Sequence, residues 1–504
     1  MAPNVLYLVL DCLRGDAVTP ETAPNLTKLA EENCSFEDCI APADWSLPSH
    51  ASIFTGEWAH EHHCYWREQK ISSLPLVESF NRNGFDTVGL TSNIYFSMSQ
   101  GFGNSFDEFY ETRRPLNPNG LNPFSAVRRH EPLDGPDIRT YLTVFGKALQ
   151  HDNPLASVEN YVRAIGIELN DRYALRDRIP GLSTDKYGYL TAASERTEQR
   201  LVDVFERHSD GENPFFAFAN LMDAHFPYEP PEDHLRTVTD GQYGREDITD
   251  IEPDLSNPRV FLDRYFADDV NEDDLELVRA AYRGEVHSVD ELVGRLLASL
   301  ERAGLRDETL VVVTADHGEA LGEEDIRGER SMGHINSVNE HHMRVPLIVA
   351  NPDIEPETVE QRVPLTALSN QLLTGPASFV DGSLESIGNA LTTDGPTLFE
   401  LPANPFHRDS FDRYDHIPDW FVTRQSMTHS VVGFDDPWTV IAYSNGDMDV
   451  WNDDDARSRA DAPEHLVETC EDAVQSFPDE DSKDSGSEGL SASRQQQLED
   501  LGYL

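Results

Sequence analysis

The stretch SLPSHASIFTG, Ser46 to Gly56, sets a hydroxyl just ahead of a proline-started helical segment that closes on a glycine. Pro48 suits the first turn of a helix and Gly56 its stop, so the spacing predicts a helix running to Thr55 with Ser46 near its N-cap. A helix N-terminus presents N–H groups and a partial positive charge to an anion. Two other segments end apolar runs in residues that ligate metals: VLYLVL (5–10) leads directly into Asp11, and TLVVVTA (309–315) into Asp316, His317 and Gly318. In a doubly wound sheet, ligands gather outside the carboxyl ends of the strands, so these carboxylates and the imidazole would project from one sheet edge. Oxygen and nitrogen donors of this kind suit a divalent cation such as Mn, Mg, Ca or Zn. A serine touching that cation has an acidified hydroxyl and becomes a nucleophile. The blander alternatives are that Ser46 is an ordinary cap and that each aspartate caps the helix that follows it.

The elements that must position these residues are legible as periodicity. Strand-like runs at VLYLVL, DTVGLTS (86–92), PFFAFANLMD (214–223), TLVVVTAD (309–316) and VPLIVA (345–350) alternate with helical patterns at 24–33, 74–84 and about 273–303. That alternation predicts an α/β fold, a mainly parallel, mixed central sheet with helices on both faces. The stretches 112–186 and 232–272 are rich in Pro, Asn, Asp and Arg and read as insertions or lid-like excursions. Two β-rich runs surround Asn445-Gly446 in WTVIAYSNGDMDVW (438–451), a hairpin signal that predicts a small antiparallel C-terminal subdomain. The expected organisation is a catalytic domain over 1–375, a smaller α+β subdomain over 376–476, and an acidic linker with a terminal helix over 477–504.

Composition bounds the partners. A formal charge of −53 is spread through segments that also carry periodic apolar residues, so it reads as the solvated surface of a folded protein. Such self-repulsion is relieved at about 1 M salt, where the screening length falls to roughly 3 Å, and the expectation is a salt-loaded, halophilic cytoplasm. The phosphate contacts of nucleic acids and anionic membranes need clustered cations, so neither is expected as a partner. The five cysteines, Cys12, Cys34, Cys39, Cys64 and Cys470, have no CxxC spacing and give no disulfide framework. The apolar run at the N-terminus ends at Asp11 without a basic flank, and no later stretch approaches the roughly 18 apolar residues of a membrane span. A cytoplasmic protein is expected.

Taken together, NVLYLVLDCLRGD, WSLPSHASIFTG, the run YRGEVHSVDELVGRLLASLERAGLRDETLVVVTADHGEALGE and MRVPLIVA resemble the sulfatase family of the alkaline-phosphatase superfamily. NLMDAHFPYEPP is similar to that family's histidine-bearing loop after a central strand, and LEDLGYL to its frequent C-terminus. The resemblance implies an alkaline-phosphatase-like fold and hydrolysis of sulfate esters. It implies Asp11, Ser46, Asp316 and His317 as ligands of one divalent ion, calcium or manganese, with Ser46 also the nucleophile. In the family that position is a Cys or Ser converted to formylglycine. His225 would contact the oxyanion or serve as the leaving-group acid, and His334 would bind the sulfuryl or phosphoryl oxygens. His50, His62 and Asn93 are the implied substrate-side candidates.

The departures from the pattern matter as much. The family's Cys/Ser-x-Pro-x-Arg signature has His50 at its arginine, which puts formylglycine at Ser46 in doubt. Cys12 stands where a second aspartate is usual, and His317 where an Asn is usual. An Asp, Ser, Asp, His set is closer to relatives that cleave phosphonate or phosphate esters or transfer phosphoglycerol. A second ion on Asp223, His225 and His334, and a degenerate member that only binds a glycan, are the other readings. The expected partner is a small-molecule or saccharide sulfate or phosphate ester; the sequence carries no sign of oligomeric state.

Overall fold

A computed structural model describes residues 2–66, 69–112, 138–162 and 189–478, apart from short interruptions at 152, 156, 159, 210, 212, 250–254, 256, 335–336, 382, 385, 394, 404–410 and 412–413. Residues 1–111 and 196–484 make one compact unit; 112–195 and 485–504 make a second, of which the helix Ile138–Gln150 is the longest element wholly inside it. The terminal helix expected over SASRQQQLEDLGYL and most of the 112–186 excursion lie outside the described residues.

The first unit is built on a nine-stranded sheet. Its strands are β1 (Asn4–Leu10), β2 (Cys34–Ile40), β3 (Asp86–Thr91), β4 (Glu108–Glu111), β5 (Phe215–Leu221), β6 (Thr309–Thr314), β9 (Arg344–Ala350), β10 (Glu357–Val359) and β11 (Val363–Pro364), with a separate hairpin of β7 (Ala320–Glu324) and β8 (Arg330–Gly333). The order is β10-β2-β9-β6-β1-β5-β3-β4, with β11 also on β2. Only β9 runs against its neighbours β2 and β6; every other pairing is parallel. The fold is therefore α/β with a mixed, mostly parallel sheet, as the alternation of strand and helix patterns predicts. All seven residues of β1 and all seven of β5 are buried. Successive side chains of a strand point to opposite faces, so both faces of the central sheet are covered.

The helix Glu272–Arg302 is the longest among the described residues. Asn271 caps it by accepting from the Asp273 N–H, and its apolar positions, Leu275, Val278, Val286, Val289, Val293, Leu296 and Leu300, recur at helical spacing and are buried. Asp290 on this helix accepts from the backbone N–H of Asn25 and Leu26, which pins the helix Pro24–Glu31 across it. The 232–272 excursion is more ordered than its composition suggests. It holds the helices Glu232–Val238, Arg245–Thr249 and Pro258–Phe266. Its Asn-Pro content is a helix start and not a loop: Asn257 accepts from the N–H groups of Arg259 and Val260, and Pro258 fills the first turn. Phe261 and Leu262 are buried there.

A second, antiparallel sheet follows: β12 (Thr397–Leu401), β13 (Ser430–Asp435), β14 (Trp438–Tyr443), β15 (Met448–Asn452) and β16 (Asp455–Arg457). Gly446, at φ 90°, turns the hairpin between β14 and β15 where the Asn-Gly pair predicts it. Leu466, Val467, Cys470 and Val474 of the helix Glu464–Gln475 close one face of this sheet onto Val431, Val440, Ala442 and Val450. All five cysteines are buried free thiols. No described helix is long and apolar enough to cross a membrane.

Candidate active site

Four adjacent parallel strands, β6, β1, β5 and β3, end at one edge of the sheet, and each delivers polar residues there. Asp11 follows β1, Asn93 follows β3, Asn220 lies in β5 with His225 just beyond it, and Asp316 and His317 follow β6. β2 runs parallel to these strands, and the chain leaving it reaches the helix Ser46–Thr55. The sheet thus gathers at one edge what lies 306 positions apart in sequence, Asp11 to His317.

Trp45, in extended conformation at φ −156°, takes the N-cap position, and Ser46 is the first residue of the helix, one place further in than the proline spacing suggests. Gly56 ends the helix at φ 75° and donates its N–H to the Ser52 carbonyl, as expected of a glycine stop. Ser46 is fully buried. Its Oγ accepts from Asn93 Nδ2 at 2.9 Å and lies 3.4 Å from His317 Nε2. The Asn93 amide is itself held: Oδ1 accepts from the Tyr95 N–H at 2.7 Å, which turns Nδ2 toward Ser46.

Two buried carboxylates face this hydroxyl. Asp11 Oδ2 accepts from Asn93 Nδ2 at 2.6 Å and from Asn220 Nδ2 at 3.1 Å. Asp316 Oδ2 is buried without a hydrogen bond, although His50 Nδ1 and His317 Nε2 each lie 3.5 Å away. Burial and the Asp11 charge hold the Asp316 carboxyl well above the usual carboxylate range, and burial with the neighbouring imidazoles holds His317 well below its ordinary value. Ligating atoms of Asp11, Asp316 and His317 all lie within 4.8 Å of one another. An orphaned buried carboxylate oxygen, a second carboxylate and a neutral imidazole at such range fit a divalent cation, whose charge would favour the ionised acids.

The remaining predicted residues divide. His50 is fully buried behind Ser46: its Nδ1 donates to the Ser46 carbonyl at 2.7 Å and its Nε2 accepts from Asn220 Nδ2 at 3.3 Å, while its ring stacks on Phe96. Burial pushes it down to about 4. Both nitrogens of His62 are engaged away from Ser46: Nδ1 accepts from the Cys64 N–H at 3.0 Å and Nε2 meets Ser52 Oγ at 3.0 Å. His225 and His334 do join the cluster, with ring centroids 5.1 Å apart and His334 4.5 Å from His317.

Three site residues were not legible as such. Asn220 is a fully buried polar side chain inside an otherwise apolar strand, and that anomaly is the signal that could have found it. Cys12, read only as a missing aspartate, points its fully buried Sγ at Asp11 Oδ1 (3.4 Å) and His334 Nδ1 (3.6 Å). Glu319 Oε1 lies 3.0 Å from His334 Nδ1, because the β7–β8 register pairs Ala320 with Gly333 and so sets the residues just outside that pair side by side. Burial alone would raise Glu319, but His334 outweighs it and the carboxyl lies below its ordinary value.

Comparison with known proteins identifies the family. The Sulfatase family model matches residues 3–374. Among characterised relatives, choline-sulfatase of Rhizobium meliloti (strain 1021) is 23% identical over 79% of this chain and 71% of its own length, and arylsulfatase of Clostridium perfringens (strain 13 / Type A) is 24% identical over 64% of each. Among solved structures, phosphonate monoester hydrolase of Agrobacterium radiobacter superposes with a TM-score of 0.56 at 17% identity, covering 94% of this chain and 93% of that one. BT4656, solved with its substrate D-glucosamine-2-N,6-O-disulfate, gives 0.58 at 16% identity over 96% of this chain and all of that one (100%). With a family model spanning almost three quarters of its length and the site residues converging at the sheet edge, the chain belongs to the sulfatase family of ester hydrolases.

Proposed function

We propose that this chain hydrolyses sulfate esters with Ser46 as the nucleophile, beside one divalent ion, calcium or manganese, held by Asp11, Ser46, Asp316 and His317. The observation that carries the reading is Ser46 Oγ, oriented by Asn93 and His317 against two buried carboxylates. When bound, the ion supplies Lewis acidity to a non-bridging ester oxygen and lowers the pKa of the serine hydroxyl. Asn93 aims Ser46 Oγ, which gives up its proton to water and attacks in line at sulfur or phosphorus. The ester bond to the leaving oxygen breaks as His225 or His334 gives that oxygen a proton, a contribution of about 100-fold or more. If Ser46 is converted to formylglycine, its second hydroxyl then expels sulfate; if it stays a plain serine, water cleaves the seryl ester, a route better suited to phosphoryl groups. The substrate is a small-molecule or saccharide ester; kinship to proteins named for sulfated substrates supports a sulfated one.

A second reading, phosphonate or phosphate ester hydrolysis, is favoured by His50. The position where the maturation signature has arginine is occupied by a buried ring that hydrogen-bonds the Ser46 carbonyl, so conversion to formylglycine is disfavoured and a plain serine suits phosphoryl groups better. Turnover of an aryl sulfate, an aryl phosphodiester and an aryl phosphonate, measured with added Mn or Ca on the native protein and on Ser46→Ala, tests both. Sulfate turnover lost in the variant supports the first reading and implies a modified Ser46; phosphoester turnover alone, lost likewise, supports the second. Turnover that survives Ser46→Ala sinks the nucleophile, and inactivity on every ester with metal bound would favour the glycan-binding reading. The acidic surface supports a salt-rich cytoplasm as the working environment, and the melting temperature should rise steeply between dilute buffer and molar KCl.

A further inference from the structure

Glu400 is an acid where its strand calls for an apolar residue. It lies in β12 between Phe399 and Leu401, every residue of that strand is buried, and Glu400 itself is fully so. A carboxylate taken out of water is costly unless its oxygens are satisfied. Both are, and by one residue: Oε2 accepts from the His60 N–H at 2.9 Å, and Oε1 pairs with His60 Nδ1. Burial alone would lower His60, but the hydrogen bond and charge of Glu400 outweigh it and hold the imidazole above its ordinary value. Burial raises Glu400 as well, so the two groups share one titrating proton across this contact.

The backbone of the same residue grips the chain ahead of Ser46. The Glu400 N–H donates to the Pro42 carbonyl, and the Asp44 N–H donates to the Glu400 carbonyl, both at 3.1 Å, which makes Ala43 its parallel bridge partner. His60 stands just past the other end of the helix Ser46–Thr55. The short helix that carries it, Ala59–His62, returns to the first, because His62 Nε2 meets Ser52 Oγ at 3.0 Å. Between these two holds, Ser49 Oγ donates to the Asp316 carbonyl at 2.5 Å and ties the helix to the sheet edge. The main chain of Glu400 thus fixes the approach to Ser46, and its side chain fixes the exit from the same helix.

We propose that Glu400 is a positioning residue for Ser46, through which the C-terminal antiparallel sheet sets where the Ser46 hydroxyl stands relative to Asp11 and Asp316. The inference rests on the reading that Ser46 is the nucleophile. A 1 Å misplacement of a reacting group costs on the order of 100-fold in rate, so such a clasp acts on kcat more than on substrate binding. Glutamine at 400 can reproduce both hydrogen bonds, its oxygen accepting from the His60 N–H and its amide donating to a neutral Nδ1; alanine can make neither.

The test uses the full chain in molar KCl. Kinetics on the aryl sulfate, phosphodiester or phosphonate that the native protein turns over are measured for Glu400→Ala and Glu400→Gln, with hydrogen–deuterium exchange read by mass spectrometry on each. Glu400→Ala should lower kcat about 10- to 100-fold with KM little changed, and Glu400→Gln should recover most of that loss. In Glu400→Ala, exchange should rise over residues 42–62 while β1 and β5 keep their protection. Unchanged exchange over 42–62, or protection lost equally from β1 and β5, overturns the proposal, as does a kcat loss that glutamine does not recover. Should Glu400→Ala fail to fold, His60→Ala removes the side-chain half of the clasp, leaves β12 intact and carries the same expectations. Turnover that survives Ser46→Ala would sink the nucleophile, while raised exchange over 42–62 in Glu400→Ala would still show that Glu400 holds the segment.

Discussion

One amide group of Asn93 serves both halves of the site: its Nδ2 donates to Asp11 Oδ2 at 2.6 Å and to Ser46 Oγ at 2.9 Å. The two protons of a single NH₂ thereby fix the distance between the Asp11 carboxylate and the Ser46 hydroxyl, and the Tyr95 N–H on Oδ1 holds the amide in that orientation. Asn93→Ala should lower kcat on the order of 100-fold, the scale of losing one well-placed donor, with KM little changed. Asn93→Asp should be worse, because it sets a third carboxylate against Asp11. Steady-state kinetics on both variants check this, and a loss confined to KM would show that Asn93 binds substrate instead.

Asn220 touches neither Ser46 nor the implied substrate, yet it holds Asp11 Oδ2 at 3.1 Å and His50 Nε2 at 3.3 Å. Through His50 it reaches the Ser46 carbonyl, so one side chain braces both Asp11 and the Ser46 backbone, the proposed ligand and nucleophile. Removing an outer partner of this kind typically weakens metal binding about 10- to 100-fold. Asn220→Ala should show that loss in a chelator competition titration while the fold, read by circular dichroism, persists. Unchanged affinity would reduce Asn220 to a packing role.

What could be read from sequence follows from where the information sits. Asp11, Asp316 and His317 stand directly after apolar strands, so local pattern and the rule for parallel sheets together place them, and Ser46 is marked by Pro48 and Gly56 within ten positions. His62 shares that neighbourhood in sequence but sits on the next short helix, Ala59–His62, and bonds Ser52 and not Ser46, a choice of partner that periodicity over a short histidine cluster does not resolve. Glu319 and His334 meet only through the β7–β8 register, and Cys12 turns inward only because of a left-handed residue; neither has a local signature.

Gly318 shows how little room that turn leaves. A Cβ there would stand 2.0 Å from the His341 carbonyl oxygen, a backbone atom, while the Gly318 N–H donates to the His342 carbonyl at 2.8 Å. Gly318→Ala must push the two segments apart, at a cost of about 1–3 kcal/mol or more, and displaces His317 and Glu319 on either side. A lower melting temperature together with reduced metal content is expected. Lower stability with full metal content would mean that the strain is absorbed away from the site.

Acid should unfold this protein through histidines that are built in neutral. His50 Nε2 accepts from Asn220, and His62 Nδ1 accepts from the Cys64 N–H, so a proton on either nitrogen breaks a buried hydrogen bond. Burial holds His50 down to about 4 and His62 down to about 3. The unfolded chain titrates near 6.5, so below that pH it binds more protons than the folded one, and stability falls as pH drops from about 6.5 toward 3 to 4. Above pH 6.5 the contribution is complete and constant. Each depressed unit is worth about 1.4 kcal/mol, so the two histidines make a steep acid limb. Melting temperatures at fixed KCl should be flat from pH 8 to 7 and decline below 6.5, and His62→Asn, whose side-chain oxygen can still accept from Cys64 but does not titrate, should make the decline shallower. An acid limb of unchanged slope in that variant would show that His62 does not contribute to it.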